Sequence, residues 1–241
     1  MGIMLLGKRS FLLYCQKVLC HSMNIGILAC SALADYVRSA QEKMKTNYPI
    51  VEVDRNYHDR PKILREMVKE GLAKFPEEVD TVLVAMGACG NCWDGISWKT
   101  RLVIPRMDDC VTILLHTGDK WYPNLKKAGH LYQIDEEDDH FSICAMYEKI
   151  AAKYGEKKAR KILDRMFGSY TNVDIVDAGI FDCHKDDYVA RVKRDAEFIN
   201  VPLGFVEGSN HIMEKLVAGN WDDQFMIVEP ETVIEAGDFV K

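Results

Sequence analysis

Short apolar runs alternate along this chain with longer amphipathic stretches, the pattern of βα units feeding a mostly parallel sheet. Strands are predicted at 25–29, 50–53, 81–86 and 102–104, with helices at 32–44 and 61–75 between them. The second helix opens on Pro61, and Ile63, Leu64, Met67, Val68, Leu72 and Phe75 recur at helical spacing behind it. A further helix is expected from Cys110, because Asp108 and Asp109 supply a cap and favourable charge at its start.

Residues 118–129 read as a connecting loop, 131–134 as a short apolar stretch, and Glu136 to Asp139 as a solvated acidic turn. Helices follow at 143–154 and 157–166. The βα pattern then returns as a strand at 173–178, a helix at 188–199, a strand at 203–206, a helix at 211–218 and a last strand at 225–228. The fold class this implies is α/β, with two Rossmann-like lobes of similar size facing one another, each a mostly parallel sheet with helices on both faces. One continuous sheet is the alternative.

The expected division is a first lobe at 23–118 and a second at 119–241. Residues 1–22 are mildly apolar but broken by Lys8, Arg9 and Ser10, and are read as an extension outside the fold, with the alternative of a helix docked on it.

Composition narrows the function classes. With 241 residues, 48% hydrophobic and 28% charged, the chain can bury a sizeable core. A net charge of −6 and no dense Lys/Arg cluster argue against nucleic acid as a partner, and no stretch reads as a membrane span. Eight cysteines in a chain without a secretion signal point to reduced thiols in the cytoplasm rather than a disulfide scaffold.

The position of those cysteines carries the chemistry. Ligands of open α/β sheets gather at the carboxyl ends of the strands. Cys30 ends the first predicted strand, His58 follows the second, Cys89 and Cys92 follow the third, and Cys110 follows the fourth. Thiolate and imidazole are zinc ligands, and thiolates hold iron–sulfur clusters, so Cys30, His58, Cys89 and Cys110 are the candidate metal ligands. Zinc and a cluster both remain open.

Gly87 and Gly90 flank the CxxC spacing and are candidates for close approach to a bound cofactor. Arg106 and the helix start are expected to lower the Cys110 pKa, and Arg106 and Asp109 are the candidate catalytic or substrate-orienting groups. A metal-free alternative pairs Cys110 with His58 as nucleophile and base, oriented by Asp109. Cys144 is expected in a helix core. Asp182, Cys183 and His184, beyond the strand at 173–178, read as a polar loop or a further ligand source. Gly204, Gly208, Ser209 and Asn210 have the composition of an anion-binding turn without a full glycine fingerprint.

From Met23 onward the chain resembles the uncharacterised family known as the domain of unknown function 1638. The resemblance rests on the strand ending in Cys30, the turn His58-Asp59-Arg60-Pro61, Gly87-Ala88-Cys89-Gly90, the run Pro105-Arg106-Met107-Asp108-Asp109-Cys110, and Leu216 to Asp222. It departs at 131–141, where members tend to carry Thr-Gly-Trp and this chain is acidic without Trp. The resemblance implies a setting in anaerobic one-carbon metabolism, beside corrinoid methyltransferases. A corrinoid protein or methyltransferase is then the expected partner, with a small-molecule substrate, and a non-catalytic metal or corrinoid carrier is the competing role.

Overall fold

The computed structural model describes residues 23–58, 60–120, 124–135 and 142–239. The expected extension at 1–22 and the acidic turn at 136–139 lie outside them. Among the described residues eight strands form two sheets. The first has the order β2-β1-β3-β4-β8, built from β1 (Ile25–Cys30), β2 (Ile50–Val53), β3 (Thr81–Ala85), β4 (Arg101–Pro105) and β8 (Phe225–Val228). Its first four strands are parallel, with Cys30 in register with Val53 and Ala29 with Ala85. The second sheet, β5-β6-β7, is parallel throughout and comprises β5 (His130–Gln133), β6 (Asn172–Asp177) and β7 (Leu203–Glu207).

The helices are α1 (Ala34–Met44), α2 (Pro61–Ala73), the short α3 (Cys110–Leu114), α4 (Ile143–Tyr154), α5 (Glu156–Phe167), α6 (Asp186–Phe198) and α7 (His211–Ala218). The protein is thus α/β, with two mostly parallel sheets flanked by helices. Every residue of β3 is buried, which explains why it reads as an unbroken apolar run rather than an alternating one. Gly71 of α2 lies against Leu28, Val51 and Val53, where a Cβ would meet Leu28 at 2.7 Å.

The division expected at residue 118 meets a chain that crosses back. After β7 the polypeptide returns to the first sheet: α7 lies against α1, β3 and β4, and β8 pairs antiparallel with β4. The two sheets therefore carry five and three strands. The physical reason is the composition of β4, whose Leu102, Val103 and Ile104 are almost wholly buried and could not serve as an open edge.

The two sheets meet through specific contacts. The buried Tyr36 hydroxyl donates to the Ile134 carbonyl at the end of β5, and Asn210 Nδ2 donates to the Tyr36 carbonyl at 2.8 Å. Ser209 N–H donates to the Leu114 carbonyl at 2.8 Å. Helix α1 is thereby tied to the end of β5 and to the start of α7, and loops at the carboxyl ends of both sheets line the clefts between them. Among the described residues no helix is long and apolar enough to cross a membrane.

Candidate metal centre

Each donor reaches the rim by a local device. β1 ends on Cys30, which is fully buried. After β2, Asp54 accepts from Asn56 N–H at 2.8 Å and starts a single 3-10 turn, Arg55–Tyr57. Arg55 N–H donates to Ser31 Oγ at 3.1 Å, which ties that turn to the loop after β1. His58, next in the chain, is delivered to Cys30 with its Nε2 3.4 Å from the Cys30 sulfur.

The loops after β3 and β4 are joined in the same way. Ala88 N–H donates to the Met107 carbonyl and Cys89 N–H to the Asp108 carbonyl, both at 2.8 Å. This brings the Cys89 and Cys110 sulfurs to 3.8 Å. Cys89 and Asn91 adopt left-handed φ of 43° and 62° around Gly90 at 68°, a conformation costly for residues with a Cβ and typical of segments held for a purpose.

The outcome is a convergent group. One donor atom each from Cys30, His58 and Cys110 lies within 4.8 Å of the others, and Cys89 touches Cys110 from the side. Cys92, the other half of the CxxC, is fully buried outside that three-donor group, and burial pushes its thiol up to about 12. Cys144 is half-buried rather than core, with its N–H on Asp195.

The expected acidification of Cys110 is reversed. A hydrogen bond with Cys30 lowers its pKa, but the hydrogen bond with Cys89 and burial outweigh it and hold the thiol well above its ordinary value. Cys30 is raised too, chiefly by its hydrogen bond with Cys110 and by burial, against a lowering by His58. The Arg106 guanidinium donates to the carbonyls of Phe225 and Asp238 in the C-terminal segment. Neutral thiols crowded together are poor nucleophiles, whereas a cation placed among them would favour the thiolates and reverse the burden of burial.

Asp109 takes the capping position expected of it at the start of α3 and also lines the cleft beside the donors. Its Oδ1 accepts from Thr112 N–H and Oγ1, both at 2.8 Å, which caps α3, and its Oδ2 pairs with Lys126. Burial works against its charge, but Lys126 and the Thr112 donors hold the carboxyl below the usual carboxylate range. Stability from this carboxylate is therefore complete above the ordinary carboxylate pKa and lost as pH falls through the lowered native value. Asn is also a good cap, so Asp109→Asn should destabilise less than Asp109→Ala, which should cost about 1 kcal/mol of capping in addition. Thermal melts across the acid range check this, with the wild-type advantage over Asp109→Asn disappearing at low pH.

Gly87 and Gly90 serve chain packing. A Cβ at Gly87 would lie 2.7 Å from the Asp109 backbone, and one at Gly90 would lie 3.1 Å from Pro61. Gly204 and Gly208 likewise lie against Asp174 and Val176 side chains, at 2.4 and 2.5 Å from a built Cβ.

A cleft of about 570 Å³ opens beside the donors. His58, Asp109, Cys110, Arg55 and Arg60 line one side, while Tyr132, Ile134 and Met146 from the second sheet and its helix line the other. These second-sheet residues and Lys126 had no sequence signal, because they reach the site only through the docking of the two sheets. Arg55, ion-paired with Asp135, bridges the same junction.

A family model described as Protein of unknown function (DUF1638) matches residues 53–217, more than half of the chain. That range takes in His58, Cys89 and Cys110 and leaves Cys30 outside it. No curated protein and no solved structure matches the chain.

Proposed function

The chain belongs to the family described as Protein of unknown function (DUF1638), and from that premise we propose that it is a metal protein whose Cys30, His58 and Cys110 hold one zinc-class ion facing the cleft. The observation that carries this reading is the spacing of the donors. Tetrahedral zinc with Zn–S of about 2.3 Å and Zn–N of about 2.0–2.1 Å sets ligand atoms roughly 3.5–3.8 Å apart. Here Cys30 Sγ and His58 Nε2 are 3.4 Å apart, and one donor atom each of Cys30, His58 and Cys110 lies within 4.8 Å of the others.

Donors gathered this closely suit a shared single ion better than an iron–sulfur cluster, whose iron atoms each take their own thiolate and so hold the thiolates further apart. The nucleophile alternative has less support, since Asp109 is engaged by Thr112 and Lys126 rather than by His58, and both thiols are raised. Cys89, in contact with Cys110 but outside the three-donor group, leaves the cleft side as the open position.

With an ion bound, the centre would supply Lewis acidity and a metal-held thiolate. The chain's own residues would do the rest. Arg55 and Arg60 bring guanidinium groups to the cleft wall, Lys126 pairs with Asp109 there, and Tyr132, Ile134 and Met146 offer an apolar surface. The volume suits a small molecule. In the one-carbon setting that the family resemblance implies, we propose a small thiol or methyl donor as that molecule and a corrinoid methyltransferase system as the partner. A cleft next to the donors supports turnover over a carrier role, which needs only an enclosed ion.

The test is to purify the full chain without oxygen and measure metals and acid-labile sulfide per chain after desalting. At least one tightly held zinc-class ion and no sulfide is the expected result. Iron with stoichiometric sulfide would replace the single ion with a cluster, and failure to retain any metal after zinc add-back would overturn the reading.

A further inference from the structure

A second set of donors, sharing no residue with the first, stands at the carboxyl end of β6. Asp177 is the last residue of that strand, and the loop beyond it returns Cys183 and His184 to the same point. One donor atom of each lies within 4.8 Å of the others. His184 Nε2 is 3.2 Å from Asp177 Oδ2, and the Cys183 thiol is hydrogen-bonded to the Asp177 carboxylate.

The three side chains are held in different ways. Cys183 is 2% exposed, whereas His184 is largely exposed. The His184 ring lies stacked on Phe205 of β7, with centroids 4.7 Å apart and planes 21° from parallel. Phe205 is itself 46% exposed, a large aromatic left at the surface whose visible task is to fix that imidazole. Asp177 is oriented by Gly179 N–H at 3.2 Å on its other oxygen. A solvent-exposed His–Asp pair alone adds little stability and requires neither a buried thiol nor an aromatic platform.

We propose that Asp177, Cys183 and His184 form a second, solvent-facing site for a divalent transition ion of the zinc class. Carboxylate, thiolate and imidazole are each zinc ligands, and three protein donors with one open side are the arrangement of sites that exchange or activate a ligand rather than merely brace a fold. Nothing in this proposal depends on the centre at Cys30, His58 and Cys110.

Cobalt(II) titration of the full chain, followed by its thiolate-to-metal charge-transfer absorbance, tests it. Wild-type protein should take up two equivalents. The double variant Cys30→Ser/Cys110→Ser should keep one, and His184→Ala in the wild-type background should also lose one. His184 is exposed, so that variant retains its fold even where Cys183→Ser does not. Two equivalents persisting in His184→Ala, or only one in wild type that vanishes with Cys30→Ser/Cys110→Ser, would overturn the second site. Loss confined to His184→Ala, with Cys30→Ser/Cys110→Ser unchanged at two, would instead overturn the first.

Discussion

Replacing Cys110 with serine should lower the affinity for zinc on the order of 10²–10³-fold. A structural zinc site contributes roughly 10–16 kcal/mol over four ligands, so one ligand accounts for about 2.5–4 kcal/mol. The loss should be specific to the metal. Serine is close in shape to cysteine, and the Gly87 N–H that hydrogen-bonds the Cys110 sulfur remains available to the new hydroxyl. Metal-free Cys110→Ser should therefore melt close to metal-free wild type, while the stabilisation that added zinc gives the wild type should be lost.

Two neighbouring cysteines calibrate this. Cys92→Ser should leave zinc affinity unchanged, since that thiol is outside the donor group. Cys89→Ser should weaken binding by no more than about tenfold, the lower end of what loss of an outer partner costs a metal site. Affinity should also rise with pH, by about one decade per unit for each thiol proton displaced, because Cys30 and Cys110 start from raised pKa values. Competition titrations with a chromophoric chelator at several pH values read all of this. Equal affinities for Cys110→Ser and wild type would remove Cys110 from the centre.

The rim of donors was legible in the sequence because it depends on two local facts. The βα rhythm marks strand ends, and Cys30, His58, Cys89 and Cys110 each stand just past one. The structure brings Cys30, His58 and Cys110 into one group and sets Cys89 against it. What local pattern could not supply is what tertiary packing decides. The segment Phe225–Val228 reads as a strand, yet nothing within it says that its partner is β4, more than a hundred residues earlier in the chain.

Arg106 sits four residues from Cys110 in sequence but turns to carbonyls that the returning C-terminal segment places in its reach. The thiol pKa values follow the same logic. A helix start and a nearby arginine argue for acidification, but α3 has only five residues, and burial with thiol–thiol contact outweighs it. Cys92 shows why spacing alone misleads. Left-handed residues at Cys89, Gly90 and Asn91 wind the CxxC so that only its first cysteine meets the cluster.

Gly87→Ala should destabilise the protein by about 3 kcal/mol, the upper end of overpacking penalties in a close-packed interior, and lower Tm by roughly 6–12 °C for a chain of this size. The added Cβ would stand 2.7 Å from Asp109 N and Cα and 2.8 Å from its carbonyl carbon. These are backbone atoms, so no side-chain rotation relieves the contact, and the loops after β3 and β4 must separate. That separation strains the Ala88–Met107 and Cys89–Asp108 hydrogen bonds and the bond from Trp93 Nε1 to the Gly87 carbonyl, which is 3.1 Å. It also moves Cys89 and Cys110 apart, so zinc affinity should fall together with Tm although no ligand has been changed. Gly118→Ala is the matched control, because a Cβ there meets nothing within 4 Å and its φ lies outside the left-handed region; it should be neutral or stabilising by a few tenths of a kcal/mol. A Gly87→Ala protein with wild-type Tm would show that the two loops can part freely, and the close backbone contact could then not be what holds the cysteine rim in register.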